Sequence, residues 1–281
     1  MFNLLCMMVI FLSVLCVMTN NILVWWSVFL LMTSFFVQLN KGLMSYSSLF
    51  NYFVFQESLG LIFLLFNFQF LQLMILFMKV GIAPLHFWLF SVTNGVYGLN
   101  LMWFLTFQKF PFVMVMVQML LMQIIILLIF GIAVCLLQML MMKSVKNLLI
   151  LSSTESFNWI MMSFVLSFLN VGIVFVYYLM LMLIMVPKLE ILVNVNKVSW
   201  ETMLIFMNLP FTVNFFVKIF SLISMLKFYS VWILLLLFVM FMSVLSLSYW
   251  MVNLSVKNVV LSKYNKWNFM IFMPLMLMMF V

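Results

Sequence analysis

Apolar residues run along this chain in long blocks, separated by short clusters of Asn, Gly, Ser and Lys. A block of about 20 apolar residues is the length a helix needs to cross a hydrocarbon core. Read this way, the pattern predicts an all-α polytopic membrane protein with about eleven transmembrane helices, over residues 2–18, 22–38, 48–66, 70–89, 99–118, 119–140, 147–168, 171–187, 199–227, 229–251 and 268–281. The third and fourth are divided only by residues 67–69, and the fifth and sixth are nearly continuous.

Lysine placement supports that count. Lys41, Lys143, Lys146, Lys188, Lys197, Lys257, Lys263 and Lys266 fall in or beside loops that follow even-numbered helices, and only Lys227 follows an odd one. A wrong helix count would scramble this bias. Cationic loops stay on the side from which a chain is inserted, so the amino terminus is predicted on the lysine-rich side and the carboxyl terminus on the other.

Composition narrows the chemistry. The chain is 69% apolar and 6% charged, against roughly 25% charged in soluble domains. Its formal charge of +8 comes from 12 Lys with no Arg and no basic run, which fits loop lysines better than phosphate recognition, so no nucleic-acid partner is expected. A single histidine, His86, cannot supply paired haem ligands, and Cys6, Cys16 and Cys135 are too scattered for an iron–sulfur cluster. There is no Asp and no glycine-rich phosphate loop. No metal site and no redox or nucleotide cofactor is therefore expected on this chain, and redox chemistry would have to occur on a partner.

Five charges stand well inside predicted spans, away from their ends: Lys79, Lys109, Lys218, Glu57 and Glu155. A charge there costs roughly 2.5–3.5 kcal/mol on insertion scales, so each is a functional candidate. At 1.5 Å of rise per residue, Glu57, Lys79 and Lys109 reach roughly 13–15 Å into their helices and Glu155 about 12 Å. Buried Lys–Glu pairs could simply fix helix packing. Three lysines against two acids leave an excess that packing does not explain, whereas a proton path does, because a buried amine can both take and release a proton.

Two of the lysines stand near helix breakers. Lys79 precedes Gly81 and Pro84 in MKVGIAPLHFW (78–88), and Pro210 precedes Lys218 in MNLPFTVNFFVK (207–218). A proline clashes with the carbonyl four residues earlier, here Val80 for Pro84. Breaks in helices four and nine, five apart, suggest two inverted five-helix repeats, 1–118 and 119–251, followed by a terminal helix, 268–281. His86, near the lysine-rich end of helix four, is either a proton relay toward Lys79 or an interfacial residue beside Trp88. The 32 Met and 35 Phe read as lipid-facing and packing bulk.

The blocks NYFVFQES (51–58), KVGIAPLHFW (79–88), LTFQK (105–109), VKNLLILSSTESFNW (145–159) and LPFTVNFFVK (209–218) resemble, in order and spacing, the signature segments of the family of mitochondrial NADH dehydrogenase subunit 2. The second and third are the most specific. The resemblance implies an antiporter-like fold in the membrane arm of respiratory complex I, an enzyme that couples NADH oxidation and ubiquinone reduction to proton translocation. It also implies a mitochondrial inner-membrane location with a matrix amino terminus and an intermembrane-space carboxyl terminus. Lys79, Lys109 and Lys218 would be the lysines of the first broken helix, of helix five and of the second broken helix. NADH, FMN, iron–sulfur clusters and ubiquinone would sit on partner subunits, and the neighbours would be other membrane-arm subunits and lipids.

Four positions depart from the family pattern. Phe29 stands where the family places a glutamate opposite the helix-four lysine. Val145 stands before Lys146 where the family has Arg before Lys, Ser156 beside Glu155 replaces a histidine, and Phe211 replaces the second proline of a turn. These departures bear on the proton-pair mechanism. A cation/proton antiporter subunit of the same fold, or a structural membrane-arm subunit that has lost pumping, are the alternative readings.

Overall fold

The computed structural model describes residues 2–142, 144–166 and 232–257, with positions 172, 175, 176, 178–180, 182, 183, 186, 215, 218, 219 and 221–223 between them. Among the described residues there is no β-strand. Pro210 and the predicted terminal helix, 268–281, lie outside them. Five stretches are long and apolar enough to span a bilayer: Ile22–Asn40, Tyr46–Leu65, Leu99–Gln118, Met122–Met141 and Lys146–Val165. The chain forms two compact units, Met1–Ile124 and Ile125–Val281.

The first unit contains α1 (Phe2–Met18), α2 (Ile22–Asn40), α3 (Tyr46–Leu65), α4 (Gln69–Val80), α5 (Trp88–Thr93), α6 (Leu99–Leu105), α7 (Lys109–Gln118) and a 3₁₀ turn, Met122–Ile124. Each helix is apolar on most sides, but only part of it packs. α1 buries Leu5, Val9, Leu12 and Cys16 and leaves Leu4, Met7, Phe11 and Met18 exposed, the surface expected toward lipid.

Within a bilayer no water satisfies a helix end, so side chains must. Asn21 caps α2 by accepting from the Leu23 amide at 2.9 Å. The Trp25 indole donates to the Thr19 carbonyl at 2.8 Å, and Gln118 donates to the carbonyls of Cys16 and Val17, each at 3.2 Å. Gln72 donates to the Phe66 carbonyl at 2.6 Å across the α3–α4 connection. Asn100 ties the start of α6 to the end of α2 through the Leu39 carbonyl at 2.9 Å.

Helix four is shorter than predicted. α4 stops at Val80 because Gly81 takes a left-handed conformation, φ 75°. Its amide bonds to Met78 O at 3.2 Å while Ile82 N bonds to Phe77 O at 3.0 Å, the paired bonds of a glycine helix stop. Pro84 lies in the connection beyond, so its predicted clash with Val80 is not what ends the helix. Helix five is interrupted too: α6 ends at Leu105, and α7 begins at Lys109.

In the second unit α8 (Ile125–Met141) packs on α9 (Val145–Leu166), and α10 (Trp232–Lys257) packs on α8. Every residue of α9 from Leu148 to Phe164 is buried. Its hydroxyls turn back on their own helix: Ser152, Ser153, Thr154 and Ser163 donate three residues back, at 2.7–2.9 Å. Tyr178 donates to the Ser153 carbonyl at 3.1 Å.

Candidate functional site

The first unit builds its site where α4 ends. Lys79 is on the last turn of α4 and 4% exposed. Its ammonium lies 5.2 Å from the Phe29 ring centre on α2 and 6.0 Å from that of Phe112 on α7. The two rings stack, centroids 4.8 Å apart. A Cβ on Gly60 of α3 would stand 3.3 Å from the ammonium, so the bare glycine makes room for it. Lys79 is thus enclosed by two aromatic faces and a stretch of bare backbone.

Glu57, expected at a similar depth to Lys79, makes no ion-pair contact with it. Its Oε1 accepts instead from the Thr33 hydroxyl of α2 at 2.5 Å, one turn beyond Phe29. Beside Glu57 on α3, Gln56 donates to the Lys79 carbonyl at 3.2 Å. The chain end freed by the α4 stop is also secured: the Trp88 indole donates to the Met78 carbonyl at 2.8 Å.

Lys109 opens α7 and is 3% exposed. The preceding Gln108 donates to the Tyr52 hydroxyl on α3. His86 is wholly buried, between α4 and α5, stacked on Phe87 at 5.0 Å and edge-on to Phe90 at 5.9 Å. It stands two residues before Trp88 in the chain.

In the second unit Lys218 and Glu155 meet directly, Nζ to Oε1 2.6 Å. Both are 1% exposed. Trp159, one turn along α9, donates its indole N–H to the same carboxylate oxygen at 3.3 Å. A buried ion pair needs further hydrogen bonds to offset the loss of water, and Trp159 supplies one. Among the described residues no group of His, Cys and Glu side chains could hold a metal.

Sequence reasoning singled out the lysines and acids, because each stands out in an apolar block. It missed Phe112, Gly60, Thr33, Tyr52, Gln56, Gln108 and Trp159. One signal was available for two of them: Tyr52 and Gln56 are four apart, hence on one helix face.

No family model matches the chain. It is 50% identical over 268 residues to NADH-ubiquinone oxidoreductase chain 2 of Caenorhabditis elegans, covering 95% of each. It is also 50% identical over 253 residues to the protein of that name from Ascaris suum, covering 90% of this chain and 84% of the relative. Identity of that level along nearly the whole length, over a helical chain with buried lysines at its helix breaks, makes this chain a member of the NADH-ubiquinone oxidoreductase chain 2 family.

Proposed function

We propose that this chain is a membrane-arm subunit of complex I, the proton-pumping NADH:ubiquinone oxidoreductase, and carries part of its proton path through Lys79, Lys109 and Lys218, with Glu57 and Glu155 as their acids. The observation that carries the proposal is the enclosure of Lys79: a lysine 4% exposed, with no carboxylate among the described residues in ion-pair contact. Such a group gains nothing for packing, since burying a charge without a counter-ion is costly. It is useful where an amine must exchange a proton away from bulk water.

The proposal places the chain in the mitochondrial inner membrane, amino terminus in the matrix and carboxyl terminus in the intermembrane space. It has the eleven-helix antiporter-like fold: inverted repeats over 1–118 and 119–251, and the terminal helix 268–281. NADH, FMN, iron–sulfur clusters and ubiquinone belong to partner subunits, and the contacts of this chain are other membrane-arm subunits and lipids. His86 is the candidate relay between Lys79 and the matrix side.

One observation favours a second reading, a structural subunit that no longer pumps: an aromatic ring, Phe29, faces Lys79 where a carboxylate would otherwise sit. Lys79→Met separates the two. It keeps the volume and removes the charge, so the complex should assemble while NADH-driven proton pumping in sealed vesicles falls. Assembly with pumping at the parental rate would overturn the proton-path role and favour the structural one.

A further inference from the structure

We propose that Thr33 is a positioning residue: its hydroxyl holds the Glu57 carboxylate against α2 and so keeps it from closing onto Lys79. The inference rests on the proton-path reading above.

Glu57 has two partners within reach and takes one of them. Its Oε1 accepts from the Thr33 hydroxyl at 2.5 Å, a length typical of an O–H bonded to an ionised oxygen. The other is the lysine. Of α2, α4 and α5, which pack on α3, only α4 carries an ionisable side chain, Lys79. Gly60 follows Glu57 by three residues on α3, and positions so spaced have their Cβ atoms about 5–6 Å apart. The Lys79 ammonium is 3.3 Å from where a Gly60 Cβ would stand. It therefore lies within about 9 Å of the Glu57 Cβ. The glutamate arm closes that gap by changing rotamer, with a small movement of the lysine. Away from water the two charges attract strongly, yet the acid rests on the threonine.

Thr33 can release the acid as well as hold it. It is 1% exposed, and its single hydroxyl hydrogen has two acceptors, Glu57 Oε1 and the Leu30 carbonyl at 2.8 Å. When the carboxylate leaves, the hydroxyl turns to the carbonyl, so no buried donor is stranded. Valine at this position has the same shape and no hydrogen to give.

The consequence falls on Lys79. While Glu57 rests on Thr33, the ammonium meets the ring faces of Phe29 and Phe112, which attract it without taking its proton. An ammonium in direct contact with a carboxylate gives up its proton less readily, and a lysine locked that way would turn over slowly. Thr33 carries no proton in this scheme. It acts through Glu57.

The test uses the assembled complex in sealed vesicles with Thr33→Val, Thr33→Ser and Lys79→Met. Ser34→Ala is the control, because Ser34 is an exposed hydroxyl on the same helix that bonds only to the Leu31 carbonyl. Thr33→Val should assemble and lower the rate of NADH-driven pumping about tenfold or more, the ratio that a lost hydrogen bond to a charged group represents. Thr33→Ser restores the hydroxyl and should pump at the parental rate, as should Ser34→Ala. A density map of Thr33→Val should show the Glu57 carboxylate within about 4 Å of the Lys79 ammonium. If Lys79→Met stops pumping while Thr33→Val pumps at the parental rate, the role of Thr33 is wrong and the lysine path stands. Equal losses in Thr33→Val and Thr33→Ser, or a Thr33→Val map with Glu57 still apart from Lys79, also overturn it. If Lys79→Met itself pumps normally, the underlying reading fails. Should Thr33→Val not assemble, the parental map decides: Glu57 on Thr33 upholds the inference, and Glu57 in contact with Lys79 overturns it.

Discussion

The ammonium of Lys79 and the ring of Phe29 are 5.2 Å apart, within the range where a ring face attracts a cation. Such a contact is worth about 0.5–2 kcal/mol, depending on how dry it is. Phe29→Leu deletes the face and should lower the rate of coupled pumping about two- to thirtyfold, the same energy expressed as a ratio. Phe63→Leu is the control, because Phe63 also packs edge-on against Phe29, at 5.5 Å, without facing the lysine. Equal pumping in the two variants would mean that Phe29 serves packing alone. The lysines were legible in the sequence because a charge in an apolar block has no innocent explanation. Phe29 was legible only as a missing acid, since in a chain this rich in phenylalanine nothing marks one ring as a partner. Glu57 and Lys79 were expected at similar depths, yet the Glu57 carboxylate turns to Thr33: depth along a helix says nothing about which way a side chain turns.

Among the elements, the breaks decide where these side chains go. Gly81 ends α4 through a positive φ, and a Cβ there would come within 2.7 Å of Leu89. Gly81→Ala should therefore cost about 1–2 kcal/mol in backbone strain alone, with the clash added, and reduce the amount of assembled complex on a native gel. An unchanged amount would show that the stop can shift along the chain. The sequence pattern carried helix four on to residue 89, because apolar residues continue past the stop and hydropathy does not register a backbone turning left-handed. The interruption between α6 and α7 was hidden in the same way, although Thr106 and Gln108 flank it. Start points were more legible: Asn21 before α2 is the residue type that caps a helix, and α1 matches the predicted 2–18.

For the whole molecule, the proposed topology, drawn from lysine placement, has the α2–α3 turn on the matrix side. Gly42 is exposed there with nothing within 4 Å of an added Cβ, so Gly42→Cys should be harmless to the fold. With Cys6, the one natural cysteine that is not buried, changed to Ser, a membrane-impermeant thiol reagent should label Gly42→Cys from the matrix face. Labelling from the other face would reverse the topology. Which faces of the helices pack together was not legible, because a helix apolar on all sides gives no sign of which side meets lipid. α9 shows what that means for how such a chain is made. Its polar load, Glu155 with Ser152, Ser153, Thr154, Ser156 and Asn158, is covered on every side in the finished unit. While the polypeptide is still being synthesised that cover does not exist, and a helix with an acid near its centre partitions poorly into lipid alone. Its neighbour α8 has the opposite character, with Ile126, Phe130 and Leu137 left open on its outer surface. The two are joined by a short link, so they would leave the insertion machinery as a hairpin, the apolar arm carrying the polar one into the bilayer.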